Sequence, residues 1–391
     1  MTVAASTVKL IPFARHTLGE REIQAVVDCL RGDWITTGPR TREFEQQFAQ
    51  MVGSKAAVAL NSCTAAMHLA LDACGITNGD EVIVPTLTFV GTAQAALYCG
   101  ATPVLVDCQR SDLTIDVSSV AAAVTPRTRA IMPMHYGGHP CDLDALRAVA
   151  NDHGLAIVED AAHVIVASYK GTRIGASGNP TCFSFHATKP FTTGEGGMLT
   201  TDDLALAERV RVSRSHGMRR DAFTRDCAAD PWTYDIEGLG YKCNPTDIMS
   251  ALGLAQLESV DDEHRRRVQI AARYRSALDG REDLSLQIIS RDVIHSHHLF
   301  PVLLNLDALT ITRDSVMREM GQRGISTSIH YRPLHQFAGF ATRCRVGPTG
   351  TPNSDWVYER LISLPLYTRL ADEDVDRVVA ALIEILEENR R

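Results

Sequence analysis

The 391-residue sequence predicts an α/β protein, with a mainly parallel seven-stranded sheet sandwiched by helices and a smaller C-terminal α+β domain. The first observation is seven short apolar runs: AAVAL (56–60), EVIVP (81–85), TPVLVD (102–107), AIMPM (130–134), LAIVED (155–160), CFSFH (182–186) and GMLTT (197–201). The second is that helical patterns such as TAAMHLALDAC and CDLDALRAVANDHG stand between most of them, an alternation that favours parallel strands with helices on both faces. The third is a change of rhythm after Asp247, to one long helical segment, DIMSALGLAQLESVDDEHRRRVQIAARYRSAL. Strand-like HHLFPVLL, a helix near Arg313 to Arg323 and the final EDVDRVVAALIEIL follow, which places the domain boundary at 255 and gives units 1–255 and 256–391. Ahead of the sheet, Thr17 and Glu20 form a capping-box signature before REIQAVVDCL, and REFEQQFAQMV reads as a second helix.

With 45% hydrophobic and 22% charged residues, the composition is that of an ordinary globular protein. The net charge of -8 is spread without acidic tail or basic block, so charge supports neither nucleic-acid nor membrane binding. The N-terminal MTVAASTVKLIPFAR lacks a signal-peptide core and no apolar run reaches the length of a membrane span, so the expected location is cytoplasmic. Ten scattered cysteines with no CxxC pair imply reduced thiols, neither a disulfide framework nor a zinc site.

Four features lie where strands of the first domain should end. NSCTAAMHLAL brings Ser62, Cys63 and Thr64 to the start of a helix, where free N–H groups and hydroxyls suit a phosphate, although such residues also serve as plain caps. Phe89 in PTLTFVGTA could stack on a flat ligand or pack in the core. IVEDAAH ends an apolar strand in carboxylates, with His163 close behind, and a buried carboxylate needs a partner such as a protonated heterocyclic nitrogen. In FSFHATKPFTTGEGGM, Phe183 and Phe185 alternate with Ser184 and His186 before a single Lys189 and a glycine corner. Pyridoxal 5'-phosphate asks for all four together: a Schiff-base lysine, a carboxylate for the pyridine nitrogen, a phosphate cup and a stacking residue. A dinucleotide does less well, because GTRIGASG lacks the GxGxxG spacing and does not lead from strand into helix.

Beyond these motifs, the chain resembles the nucleotide-sugar aminotransferases of the DegT-like family, pyridoxal-phosphate enzymes of the aspartate aminotransferase fold, type I. The likeness runs in order through WITTGPRTREFE, NSCTAAMHLAL, PTLTFVGTA, GATPVLVD, EDAAH, SYKG, FSFHATKPFTTGEGGM, LGYKCNPTDIMSALGLAQL, HYRPLH and LISLPLY. It implies that Lys189 is the Schiff-base lysine, that Asp160 keeps the pyridine nitrogen protonated, and that His163 lies by the ring and its phenolic oxygen. It further implies that Phe89 stacks on the ring and that Ser62, Cys63 (through its backbone), Thr64 and Ser184 surround the phosphate. Family members share their sites between two subunits, so a homodimer is expected, with Lys242 and Asn244 reaching the phosphate from the neighbour. Two departures stand out: Cys243 and Pro245 where an aromatic or larger apolar residue is common, and bulky Val164, Ile165 and Val166 after EDAAH.

The resemblance implies amino transfer, with L-glutamate as donor and pyridoxamine phosphate between the half-reactions, to the C4 keto carbon of a nucleotide-linked deoxysugar such as dTDP-4-keto-6-deoxyglucose. Expected substrate contacts are Thr37, Glu195, Arg219, Arg220, Tyr331 and Arg332. A keto-cyclitol aminotransferase and a non-catalytic cofactor-binding regulator are the alternatives; a sugar dehydratase of the same family carries histidine where this chain has Lys189.

Overall fold

The computed structural model describes residues 9–219, 222–227, 230 and 232–391. Ten strands precede residue 202: β1 (Ala56–Leu60), β2 (Glu81–Pro85), β3 (Thr102–Val106), β4 (Thr128–Ile131), β5 (Ala156–Ile157), β6 (Glu159–Ala161), the hairpin β7 (Ser168–Tyr169) and β8 (Thr172–Arg173), β9 (Thr181–Ser184) and β10 (Gly197–Thr201). β3, β2, β4 and β5 pair in parallel, and β6, β9, β10 and β1 continue the layer, joined to it by the Met134–Asp160 bridge. Seven positions thus stand side by side, the LAIVED run supplying both β5 and β6 at one of them, and β10 alone runs against its neighbours. All five residues of each of β1, β2 and β10 are buried, as expected of strands covered on both faces.

The C-terminal part builds a second, antiparallel sheet from β11 (Leu284–Leu286), β13 (Phe300–Leu304) and β15 (Leu361–Leu364). Between them, β12 (Val293–Ile294) pairs with β7, and β14 (Arg345–Val346) adds a parallel edge strand beside β3, so the later segment is stitched into the earlier one by backbone hydrogen bonds. A separate apolar cluster, including Ile270, Tyr274, Val302, Met320, Val378 and Leu382, forms the core of this part.

Two helical expectations are corrected. The segment 247–278 is two helices, Asp247–Leu257 and Val260–Leu278, because Ser259 takes a non-helical conformation as N-cap and Asp261, Asp262 and Glu263 load the first turn that follows with negative charge. The first helix, α1 (Glu20–Arg31), starts from Gly19, whose N–H donates to Glu22 Oε2 at 2.7 Å, while the Thr17 hydroxyl bonds that of Thr368 at 2.5 Å.

The second helix, α2 (Pro39–Val52), is capped from far away in sequence. Asp247 Oδ1 accepts from the N–H groups of Gly38 (2.8 Å) and Thr41 (2.9 Å) and from the Thr41 hydroxyl (2.7 Å), and Oδ2 accepts from Arg40 N–H at 3.0 Å. One buried carboxylate therefore satisfies the free donors of α2 and clamps it to the helix Asp247–Leu257. Asp247→Ala orphans these donors and is expected to lower unfolding free energy by about 3 kcal/mol, read from denaturant midpoints; a change below about 0.5 kcal/mol would refute the clamp.

Candidate active site

The carboxyl ends of β1, β6 and β9 open on one cavity of about 290 Å³. Ser62, Cys63, Thr64, Phe89, Asp160, His163, Ser184, Lys189, Glu195 and Tyr331 line it, and sequence reasoning had named each of them. Ser62 caps α3 (Cys63–Ala73), its Oγ accepting from Ala65 N–H at 3.1 Å. Here β10 passes so close that a Cβ on Gly197 would stand 2.4 Å from the Ser62 backbone and 2.5 Å from Cys63 N, so only glycine lets the helix start sit against the sheet. Phe89 caps α4 (Val90–Tyr98) and is 54% exposed, presented to the cavity and not packed in the core.

Strand alternation sorts the two carboxylates of IVED. Glu159 turns inward, accepting from Ser177 Oγ (2.5 Å) and Asn179 Nδ2 (2.7 Å) and lying 3.0 Å from His135 Nε2. Asp160 turns to the cavity. Its Oδ2 accepts from the Thr92 hydroxyl at 2.7 Å and its Oδ1 from Ala162 N–H at 3.0 Å. Burial raises its carboxyl above the usual range, against the pull of those hydrogen bonds and of the Lys189 charge. Along β9 and the two residues after it the same alternation buries Phe183 and Phe185 and leaves Ser184 and His186 on the cavity side.

Lys189 follows β9. Desolvation pushes its amine down from 10.5 to about 8, although the Asp160 carboxylate acts in the opposite sense. A lysine in this range is a competent nucleophile and proton acceptor near neutrality. His163 is fully buried, and burial, then the charge of Lys189, hold its imidazole far below the ordinary range, hence neutral. Gly137 N–H donates to its Nδ1 at 3.1 Å, which places the ring proton on Nε2, 2.8 Å from the Tyr331 hydroxyl.

Other expected residues stand elsewhere in this chain. Lys242 and Asn244 lie outside the cavity: Asn61 N–H donates to Cys243 O at 2.8 Å, and Asn244 Nδ2 donates to Thr37 Oγ1 at 2.6 Å, leaving Asn244 Oδ1 buried without a partner among the described residues. Thr37 is buried, its hydroxyl donating to Pro245 O. Arg219 is paired with Glu237, and Arg332 stacks over Phe337 at 4.9 Å and donates to Gln336 O at 2.7 Å. Arg220 lies outside the described residues. Sequence reasoning missed Thr92, Met134, His298 and His330, and placed His186 on the face of Ser184 without assigning it to the site. HSHH (295–298) and HYRPLH (330–335) were visible as histidine-rich strings, but nothing local marked which of these rings would turn to the site.

The donor set fits pyridoxal phosphate. Asp160 is a buried carboxylate facing a cavity with no cation in salt-bridge contact among the described residues, Lys189 offers an amine of lowered proton affinity, and an exposed aromatic ring and a capped helix start complete the wall. Fold and site together define a pyridoxal-phosphate-dependent aminotransferase of fold type I. The pattern of the DegT/DnrJ/EryC1/StrS aminotransferase family matches residues 16–383, and the chain belongs to that family. The spore coat polysaccharide biosynthesis protein SpsC of Bacillus subtilis is 43% identical over 377 residues, 96% of this chain and 97% of its own. Among solved structures, the PLP form of Spr1654 from Streptococcus pneumoniae gives a TM-score of 0.90 at 34% identity, over 97% of this chain and 99% of that one. DesV of S. venezuelae gives 0.86 at 35% identity, over 94% of each.

All ten cysteines are free thiols and only Cys227 is exposed. No described helix is long and apolar enough to cross a membrane.

Proposed function

We propose that this enzyme moves an amino group from L-glutamate to the C4 keto carbon of a nucleotide-linked keto-deoxysugar such as dTDP-4-keto-6-deoxyglucose. The observation that carries amino transfer is Lys189, an amine pushed down to about 8, in one cavity with the buried carboxylate of Asp160. The sugar acceptor is supported by the name of SpsC, a polysaccharide biosynthesis protein, and by the similarity to DesV.

Bound here, pyridoxal phosphate would supply the electron sink that lets the donor's C–H bond ionise. Ser62, Thr64 and Ser184, with the Cys63 N–H at the start of α3, would hold its phosphate. Asp160 would keep the pyridine nitrogen protonated, Phe89 would cover one ring face, and His163 would donate from Nε2 through Tyr331 toward the phenolic side. Lys189 Nζ would take the proton from the donor carbon and return it.

Lys242 and Asn244 would act in the site of a second copy. Support comes from the segment that carries them: Trp232, Ile236 and Leu239 expose large apolar side chains (Leu239 is 87% exposed), more than an isolated chain is expected to leave in water. Ser215 bridges Lys242 and Met218 bridges Ile236, so Arg219 belongs to the same surface and would meet a diphosphate there, while Glu195 would meet the sugar at the cavity mouth. Lys189→Ala and Asn244→Ala are each expected to be inactive, and mixed dimers to regain about a quarter to a half of wild-type activity, by restoring one site of two. Verified heterodimers with no recovery would refute the shared site.

The acceptor is tested with glutamate and a panel of keto-sugar nucleotides and free keto-cyclitols. Amine product is expected on a 4-keto nucleotide sugar. Efficient turnover of a free cyclitol, with none of any nucleotide sugar, would establish the cyclitol alternative and leave the cofactor chemistry standing.

A further inference from the structure

Beside Lys189 stands a histidine that the reaction described above does not use. His298 opens the strand β13 region and is 7% exposed. Its Nε2 lies 3.4 Å from Lys189 Nζ, and its ring packs on His163 at a centroid distance of 4.4 Å. We infer that His298 is a positioning residue for Lys189: its imidazole accepts an N–H from Nζ, holds the amine in the cavity and supports its protonated form.

The two histidines at the site differ in one respect. In His163, the Gly137 N–H occupies Nδ1 and so dictates the tautomer. In His298, Nδ1 is buried with no partner among the described residues. No neighbour fixes its tautomer. The ring can therefore turn a lone pair toward an ammonium or an N–H toward a neutral amine, whichever Lys189 presents. Burial first, then the charges of Lys189 and its other neighbours, keep His298 neutral, so it is an acceptor and not a competing cation. The ammonium gains more than the neutral amine, because a hydrogen bond from a charged donor is the stronger of the two. The titratable groups around Lys189 are Asp160, Cys63, His163, His298 and His330, with His186, Glu195 and Tyr331 lining the same cavity, and the charge of Arg267 acts on His298. Of these only His298 is in hydrogen-bond contact with Nζ.

The inference rests on Lys189 being the reactive amine of the site. Its test reads the proton on that amine, with no turnover: the full-length protein, stripped of cofactor, is labelled at Lys189 with an amine-acylating reagent across a pH series, and the labelled peptide is quantified. Wild-type reactivity is expected to rise with a midpoint near 8. In His298→Phe, which keeps a ring and loses the acceptor, the midpoint is expected to fall by about one unit, so labelling at pH 7 relative to plateau rises about fivefold. His298→Gln, whose carbonyl can accept, is expected to stay within about half a unit of wild type. If circular dichroism shows the Phe variant unfolded, His298→Leu takes its place with the same expectation. An unshifted or raised midpoint in the acceptor-less variant, or the same fall in Gln, overturns the inference and leaves amino transfer standing; loss of amino transfer with these shifts intact would do the reverse.

Discussion

Lys189→Ala is expected to lower kcat for amino transfer by about four orders of magnitude while the protein still folds and binds cofactor. The amine serves both as the covalent anchor and as the proton carrier, and a positioned acid–base group alone contributes about 10²–10⁴-fold. No other lysine lines the cavity among the described residues, so no second amine can take over. Side-chain loss should be tolerated, because desolvation already works against the ammonium in the folded state. Borohydride trapping followed by peptide mapping checks the assignment independently, with the label expected on Lys189. Multiple-turnover activity within tenfold of wild type, or a label on another lysine, would sink it.

For Asp160→Asn the expected result is a kcat lower by about a hundred- to a thousandfold in a protein that retains its cofactor. The amide keeps the shape and can still bond Thr92, but it carries no charge to favour a protonated pyridine nitrogen. Stability should move the other way. Burial raises the folded-state pKa of Asp160 above its unfolded value, so the stability contributed by the protonated carboxyl is present below the unfolded pKa and is lost as pH rises through the folded one. Above that window the cofactor-free wild type bears the cost of a buried charge that the asparagine variant lacks. Its Tm at pH 8 is therefore expected to equal or exceed that of the wild type. A variant with near-normal turnover, or one whose Tm falls by several degrees, would contradict this account of the carboxylate.

The two expectations share a physical cause that was readable from the chain. Alternation along CFSFH set which side chains face the core, LAIVED read as an apolar strand ending in carboxylates, and the glycine and hydroxyl residues around Ser62 and Gly197 marked where backbone could approach a ligand, because period and turn chemistry are encoded within a few residues. Lys189, Phe89 and Ser62 could be named on that basis, while the choice of Asp160 over Glu159 came from the family resemblance. The ends of helices were less legible. Glu22 closes the first cap where Glu20 was expected to, and Ser259 interrupts a segment whose apolar spacing runs on through it. In each case the choice is between neighbouring residues of similar propensity, and packing of the flanking turns settles it.

The partners of the reactive groups came from much further away. His163 meets Tyr331 across 168 positions, Lys189 meets His298 across 109, and Asp160 meets Thr92 across 68. In the string HSHH, one ring had to be chosen among three. His297 has a left-handed backbone (φ 50°), His295 and His297 face His139 and His264, and His298 is left facing Lys189. Residue type and spacing are the same for any of these rings until the C-terminal sheet docks on the first. Which imidazole loses its water, and which amine it then touches, is a property of that packed interface, since desolvation and hydrogen-bond geometry depend on neighbours that chain order alone does not bring together.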